Sequence, residues 1–399
     1  MANKTLPQGY KGSPLGIIPK EWEVKRLGDY VDIISGESPS LYDLRTTGTY
    51  PYVKVEDMNN CTKYQIESRE YSNSQRNIVP KGSIIFPKRG AAILNNKVRI
   101  AYQDILMDSN MMAITPKTQG VDSEFLYYTI IKEQLYKIAD TSTIPQINNK
   151  HILPYRFCFP PIEQQKKICS VLQLWDTTIE KQSELIDKLK LRKRALMQQL
   201  LTGKKRLPGF SGEWKEVKLG DIFDERNETK YNDLPLLSIT GDKGVIYQSE
   251  SDKRDISNDD KSKYKRICPN DIGYNTMRMW QGRSALSNIE GIVSPAYTIV
   301  TPHKNVDVRF MAMLIQQPRI IYDFWTHSQG LVSDTLNCKY PDFCQVKVRI
   351  PSKEEQTAIA DLLYEFDKEI DLANEKLASL QSQKRGLMQQ LLTGKKRIK

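Results

Sequence analysis

Two long stretches of the chain share one apolar rhythm. Apolar residues fall at Ile168, Leu172, Trp175, Ile179, Ile186, Leu189, Leu196 and Leu200, in alternating steps of four and three broken at Gln182 and Lys193. The same stripe returns 191 residues later as Ile359, Leu363, Phe366, Ile370, Leu377, Leu380, Leu387 and Leu391. A repeat of 3.5 residues keeps one helix face turned towards a partner. The pattern therefore predicts two long helices that pair like a coiled coil, each with the other. Lysine occupies the same d position in both, at Lys193 and Lys384. Polar residues there fix register at a cost in stability; the alternative is a solvated edge where the pair splays.

Both helices are framed by stop and start signals. Pro160-Pro161 precedes the first, and Pro351 precedes the second, where Ser352 with Glu355 three residues on forms the pattern of a capping box. Gly203 and Gly394 follow the last apolar turns, where a left-handed C′ residue belongs. The basic tails beyond them, Lys204-Lys205-Arg206 and Lys395-Lys396-Arg397, suit a phosphate clamp and neutralisation of the helix dipole equally well. Glu163 to Leu201 is 39 residues, about 58 Å of helix, long enough to space two globular bodies.

The repetition extends well beyond the stripe. Residues 196–206 recur unchanged as 387–397, and the same offset carries Pro160 onto Pro351, Gln165 onto Gln356 and Asp176 onto Asp367. At an offset of 192, Glu21-Trp22 maps onto Glu213-Trp214, and Leu27-Gly28-Asp29 onto Leu219-Gly220-Asp221. The chain is two tandem copies of one unit, with a similar opening, a divergent middle and a similar helical close. Trp22 and Trp214 are expected as core anchors packed on the helix pair.

The middles, about residues 30–158 and 222–349, are rich in short β-like runs such as Ser83-Ile84-Ile85-Phe86 and Ala296-Tyr297-Thr298-Ile299-Val300. Each then carries one amphipathic helix led by aspartate, from Asp122 to about Ala139 and from Asp307 to about Trp325. The expected fold class is α+β. Two tandem bodies of mixed β-sheet with helices alternate with two long helices, which pair as an intramolecular antiparallel coiled coil with a pseudo-two-fold repeat. The expected division is 1–159, 160–206, 207–350 and 351–399. One scaffold with two different surfaces suggests two different things recognised.

Composition narrows the class of partner. Fifty-nine Lys and Arg against 48 Asp and Glu leave a formal charge of +11 over 399 residues, which favours a polyanion, nucleic acid or an acidic membrane face. No apolar run reaches the length of a membrane span, and residues 1–10 lack the apolar core of a signal peptide, so a cytoplasmic protein is expected. The six cysteines form no C-x-x-C pair. The closest two, Cys338 and Cys344, have only His327 nearby, so free thiols are expected and no metal site. No phosphate-binding G-x-x-x-x-G-K-[ST] or G-x-G-x-x-G is present. Phe159-Pro160-Pro161-Ile162 lacks the polar first and aromatic last residues of an amino-methyltransferase loop, and no suitably placed E-x-K follows Pro341-Asp342. The chain reads as a non-catalyst.

Two variable bodies, each followed by a similar long helix, resemble the specificity subunit of type I restriction–modification systems. The resemblance spans essentially the whole chain. It rests on Leu207-Pro208-Gly209-Phe210, Glu213-Trp214 and Leu219-Gly220-Asp221 after the first helix, on Pro160-Pro161-Ile162-Glu163-Gln164 before it, and on the two endings Leu-Thr-Gly-Lys-Lys-Arg. It implies a non-catalytic subunit whose two target recognition domains each read one half of a split, asymmetric sequence in double-stranded DNA. It also implies that the helices set the gap and dock two adenine-N6 methyltransferase (M) subunits, which restriction (R) subunits can join. No cofactor is then bound by this chain: S-adenosylmethionine belongs to the methyltransferase partner, and ATP with Mg to the restriction partner. No membrane is involved. The alternative is a coiled-coil DNA-binding adaptor or regulator without a methyltransferase partner.

Residue by residue, the family's strand-to-loop segment G-D-I-[LI]-x-x-[KR]-x-G is matched by residues 82–90, whereas the second body departs from it with the longer run 270–283. Lys88, Arg89, Asn275, Arg278, Gln281 and Arg283 have the chemistry for DNA, because Arg and Lys suit guanine or phosphate and Asn and Gln suit adenine. Asn95, Asn96 and Lys97 follow in the next loop. Gln146 and Asn148 (in 143–148) and Ser328 and Gln329 (in 328–330) resemble the family's second DNA-facing loop. For each, three placements stay open: a base contact, a phosphate contact, or a solvated or structural turn. Helix pairing is expected through Ile168, Leu172, Trp175, Ile179, Leu189, Leu196, Ile359, Leu363, Phe366, Ile370, Leu380 and Leu387.

Overall fold

The computed structural model of the chain describes residues 6–117, 120–140, 144–241, 243–251, 260–330, 332 and 335–398. Residues 1–5 of the opening and Thr143 of the second loop lie outside them. The backbone forms two compact units, Met1–Ser183 with Glu375–Lys399, and Glu184–Asn374. Both expected long helices form, as Ile162–Leu200 and Lys353–Leu391. Each gives its first part to one unit and its last part to the other, so unit 1 is completed by the C-terminal end of the chain.

The class is α+β. In unit 1 strand Ile84–Pro87 is central, antiparallel to Met111–Pro116 (Ile114 opposite Ile84) and to Arg99–Ala101; Val31–Ser35 extends the sheet on one side and Tyr64–Gln65, parallel to Arg99–Ala101, on the other. Unit 2 repeats the core of this order: Ile272–Asn275 lies between Tyr297–Pro302 and Ser284–Leu286, with Phe223–Glu225 outside. The repeated openings pair with the strands that lead into the long helices, Glu23–Arg26 with Arg156–Phe159 and Lys215–Lys218 with Lys347–Ile350.

Within each unit the start of one long helix packs on the end of the other, so the pair is antiparallel. Ile168 and Leu172 share the unit 1 core with Met388, Leu391 and Leu392; Leu200 and Leu201 share the unit 2 core with Ile359 and Leu363. Leu189, Phe366 and Ile370 are also buried, while Trp175, Ile179, Leu196, Leu380 and Leu387 are half-buried. Neither stripe lysine sits on a solvated edge. Lys384 pairs with Asp176 and Lys193 with Asp367, each lysine side chain 18% exposed. The Tyr128 hydroxyl also donates to Asp176, and burial together with that carboxylate pushes its phenol far up, so it remains a donor.

The helix ends depart from the sequence reading in one respect. Gly203 and Gly394 are left-handed as expected, at φ 68° and 70°, and Lys205 and Lys396 donate back to the Gln199 and Gln390 carbonyls, both at 3.1 Å. Glu355, however, does not close a capping box. Both its oxygens accept from Arg206 at 2.5 Å, because a carboxylate buried there needs a cation. In unit 1 Gln164 takes the equivalent place, accepting from the Trp22 indole at 2.8 Å, while Arg397 pairs with Glu21. Both tail arginines are thus engaged by carboxylates. Trp22 is buried as an anchor, and Trp214 packs half-buried on the unit 2 core.

Each aspartate-led helix is also broken in two, where one continuous helix was expected. Ser123–Glu133 gives way to Leu135–Ile138 across Gln134, whose φ is 65°. Val308–Leu314 gives way to Pro318–His327, because Pro318 has no N–H to continue the ladder and sits in the new first turn. Asp122 and Asp307 cap as expected. Their backbone N–H groups donate to Gln165 and Gln356, at 2.9 and 3.0 Å, and these glutamines are each 1% exposed. Gln165 further donates to the Gly120 and Pro160 carbonyls, and Gln356 to Pro351. One repeated side chain thereby ties the first turn of each long helix to its body.

Gln165→Met keeps the volume but strands buried backbone groups, and should cost about 2–4 kcal/mol in urea unfolding. A pH dependence follows from Asp307. Burial alone would raise its carboxyl, but bonds from Arg309, the Phe310 amide and Thr357 outweigh this and hold it below the ordinary aspartate range. A depressed folded value stabilises above the unfolded value and is lost as pH falls through the folded one. The gap in urea midpoint between the unaltered chain and Asp307→Asn should therefore be full at neutral pH and shrink as pH falls below about 4.

Candidate nucleic-acid interface

The end of the central strand positions the first predicted loop of each unit. In unit 1 residues 88–98 separate Ile84–Pro87 from Arg99–Ala101, with a short turn at Ala91–Ile93. In unit 2 only residues 276–283 separate Ile272–Asn275 from Ser284–Leu286, so the loop between strands is the shorter of the two although the matched run 270–283 is longer than 82–90. The reason is a closed hairpin: the Arg283 carbonyl accepts from Asn275 N–H at 3.0 Å, and the turn Met279–Gln281 fills the end.

A second loop docks beside the first. In unit 1 its arms are bridged at Asp140 and Gln146, and its return arm bonds back to the first loop, Ile147 N–H to the Lys88 carbonyl and Gly90 N–H to the Pro145 carbonyl, both at 2.9 Å. Lys88, Arg89 and Gln146 are thereby brought together. Asn148 is exposed just beyond, where it precedes helix Asn149–Ile152 and donates its N–H to His151 Nδ1. Asn95 is exposed. Asn96 and Lys97 are occupied elsewhere. The Asn96 amide donates to Ile131 O and accepts from Leu135 N–H, fastening the helix break, and Lys97 donates to Asn59.

Unit 2 has the same two-armed loop, bridged at Gln329 and Asn337, with Cys338 N–H donating to the Thr276 carbonyl at 2.9 Å. Its return arm, residues 336–338, is the counterpart of 145–147. Ser328 and Gln329 lie on the outgoing arm instead: the Ser328 hydroxyl donates to Phe324 O, and the Gln329 amide to Asp342. The sequence match between 143–148 and 328–330 therefore holds for the loop and not for the arm.

Asn275, Arg278, Gln281 and Arg283 converge on one cleft of about 430 Å³. Its other wall comes from the hairpin Leu237–Ile239 with Val245–Tyr247, which contributes Thr240, Gly241 and Lys243, and from Tyr297, the cross-strand partner of Asn275. These wall residues were not foreseen. Nothing in the chain near them signals a site, and only the sheet register brings Tyr297 there.

The charges of these loops are available for a ligand. Arg89, Arg278 and Arg283 are exposed, and among the described residues none has a carboxylate within 4 Å; Arg226, Arg266 and Arg309 are each held by acidic partners. Burial pushes the Lys88 ammonium down against the attraction of Asp108. Trp280 packs half-buried, its indole donating to Met277 O. All six cysteines are free thiols, and among the described residues no cluster of His, Cys, Asp or Glu is arranged to hold a metal. No described helix is long and apolar enough to cross a membrane.

Against this geometry stand the relatives. The family described as the type I restriction modification DNA specificity domain matches twice, at residues 19–191 and 211–382. The MjaVIII type I restriction enzyme specificity subunit of Methanocaldococcus jannaschii is 24% identical, over 96% of this chain and 94% of its own. The MjaIX specificity subunit of the same organism is 29% identical over 46% of this chain and 45% of its own. Among solved structures, the type I restriction-modification S subunit of M. genitalium is similar in fold at a TM-score of 0.53, with 16% identity over 93% of this chain and 96% of that one. A chain from a study of type I R-M complex assembly reaches 0.62, with 14% identity over 94% and 99%. The chain belongs to the type I restriction–modification DNA specificity family, as the component that recognises DNA and not the one that performs catalysis.

Proposed function

We propose that each unit reads one half of a split, asymmetric sequence in duplex DNA. The observation that carries this reading is one sheet scaffold, built twice, with unlike loops at the same topological place: Lys88, Arg89 and Gln146 on one copy, and Asn275, Arg278, Gln281 and Arg283 around a cleft on the other. Asn95 and Asn148 flank the first set as exposed candidates for phosphate contacts. Asn96, Lys97, Ser328 and Gln329 bond to neighbours within their own units, which favours a supporting role for them over a direct contact. The recognition domains are residues 1–159 and 207–350, and the helical segments 160–206 and 351–399 set the gap between half-sites.

The same helical segments dock two adenine-N6 methyltransferase subunits, and through them restriction subunits, in the cytoplasm. Base extrusion and methyl transfer belong to that partner, which brings S-adenosylmethionine, while ATP and Mg serve the restriction subunit. This chain supplies address and register. Phosphate contacts made by its surplus lysines and arginines would hold the duplex, and loop contacts to base edges would select it.

Mapping of adenine-N6 marks in the host with and without this chain should reveal one split sequence methylated only in its presence; no chain-dependent mark would overturn the reading. A methyltransferase subunit should co-purify at two copies per chain in mild salt. Arg89→Ala should change base preference in one half-site and leave the other intact. Equal weakening on every sequence, with a shallower salt dependence, would make Arg89 a phosphate contact instead.

A further inference from the structure

On the reading that unit 2 recognises duplex DNA, we infer that Arg283 reads the major-groove edge of a guanine and that Gly241 is the positioning residue that lets it. The Arg283 guanidinium lies against the backbone of the facing hairpin. A β carbon at 241 would stand 2.6 Å from Nη1 and 3.5 Å from Cζ, too close for the arginine to stay where it is. Gly241 is not among the glycines with a left-handed backbone. Its missing side chain serves this close approach and not the path of the chain.

Guanine follows from what surrounds the guanidinium. A planar guanidinium fork presents two parallel donors, the match for the O6 and N7 acceptors of guanine. Gln281 on the same cleft carries an amide that accepts as well as donates, whereas the Asn275 amide oxygen already accepts from the Met277 N–H at 3.0 Å; Arg278 adds charge. Phosphate oxygens only accept, so amide acceptors would have no use against a bare backbone, whereas base edges offer both donors and acceptors. Among the described residues no carboxylate competes for Arg283.

The clash at 241 falls on the far end of a flexible side chain, so Gly241→Ala displaces the arginine and spares the fold. The test uses the full chain with the partners that co-purify, and duplexes selected from a randomised library. The unaltered chain should require guanine at one position of one half-site, and 7-deazaguanine there, which lacks N7, should weaken binding about tenfold. Arg283→Gln should erase the preference at that position alone. Gly241→Ala should weaken the same preference with an unchanged thermal midpoint.

Insensitivity to 7-deazaguanine at every position would overturn the guanine contact without involving any variant. Uniform loss of binding by Arg283→Gln would make the residue a phosphate contact, and an intact preference in Gly241→Ala would remove the positioning role. An unaltered chain that selects no sequence at all would overturn DNA recognition itself, a result distinct from the other three.

Discussion

A buried glutamine at the first turn of each long helix holds its unit together. Gln165 and Gln356 satisfy the N–H of the aspartate that caps the body's own helix, and the carbonyl of the proline that precedes the long helix. Three chain directions meet at one amide. Such a group is costly to leave unpaired, so the body cannot shift on the helix without losing several bonds together. The apolar seam then brings in the end of the other long helix. Leu172 with Leu391 in one unit, and Leu363 with Leu200 in the other, bury surface that a single amphipathic helix would leave in water.

The ion pairs on this seam discriminate register where apolar packing alone would not. Asp176 meets Lys384, and Asp367 meets Lys193, so a shift of one helical turn would separate a carboxylate from its ammonium. The same economy governs the arginines. Arg206 and Arg397 are spent on Glu355 and Glu21 beside the two tryptophans, which accounts for both basic tails having an arginine at the same place. The arginines left without carboxylates on the loops are the ones whose charge can be offered outward, and a protein with a surplus of +11 can leave them so.

The two loop sets differ in kind as well as in sequence. Unit 1 offers a lysine and an arginine beside a glutamine, pinned by backbone bonds between two loops. Unit 2 offers a walled cleft, because its shorter hairpin folds back against a second hairpin. Insertions and exchanges at these tips leave the sheet ladders untouched, the physical basis on which one scaffold can carry two unlike recognition surfaces.

Much of this was legible in the amino-acid sequence, since it rests on local or strictly repeated signals. The heptad stripe, the glycine ends, the capping aspartates and the doubling of the unit are short-range patterns that tertiary contacts reinforce. The break at Pro318 is equally local, since a proline has no N–H for the ladder, although the run from Asp307 to Trp325 reads as one helix. Other features depend on residues distant in the chain. Asn96 reads as a loop amide, yet it fastens a helix break by bonding Ile131 and Leu135, 35 and 39 residues away. Glu355 reads as half of a capping box until Arg206 arrives from the other helix end. Tyr297 and Gly241 reach the Arg283 cleft only through strand register and hairpin packing. By itself the sequence determined the duplicated scaffold, the paired helices and the chemistry of the loops. Which polar side chains remain available to a partner was decided only by the tertiary structure, because a hydrogen-bonding group belongs to whichever neighbour the fold brings within 3 Å.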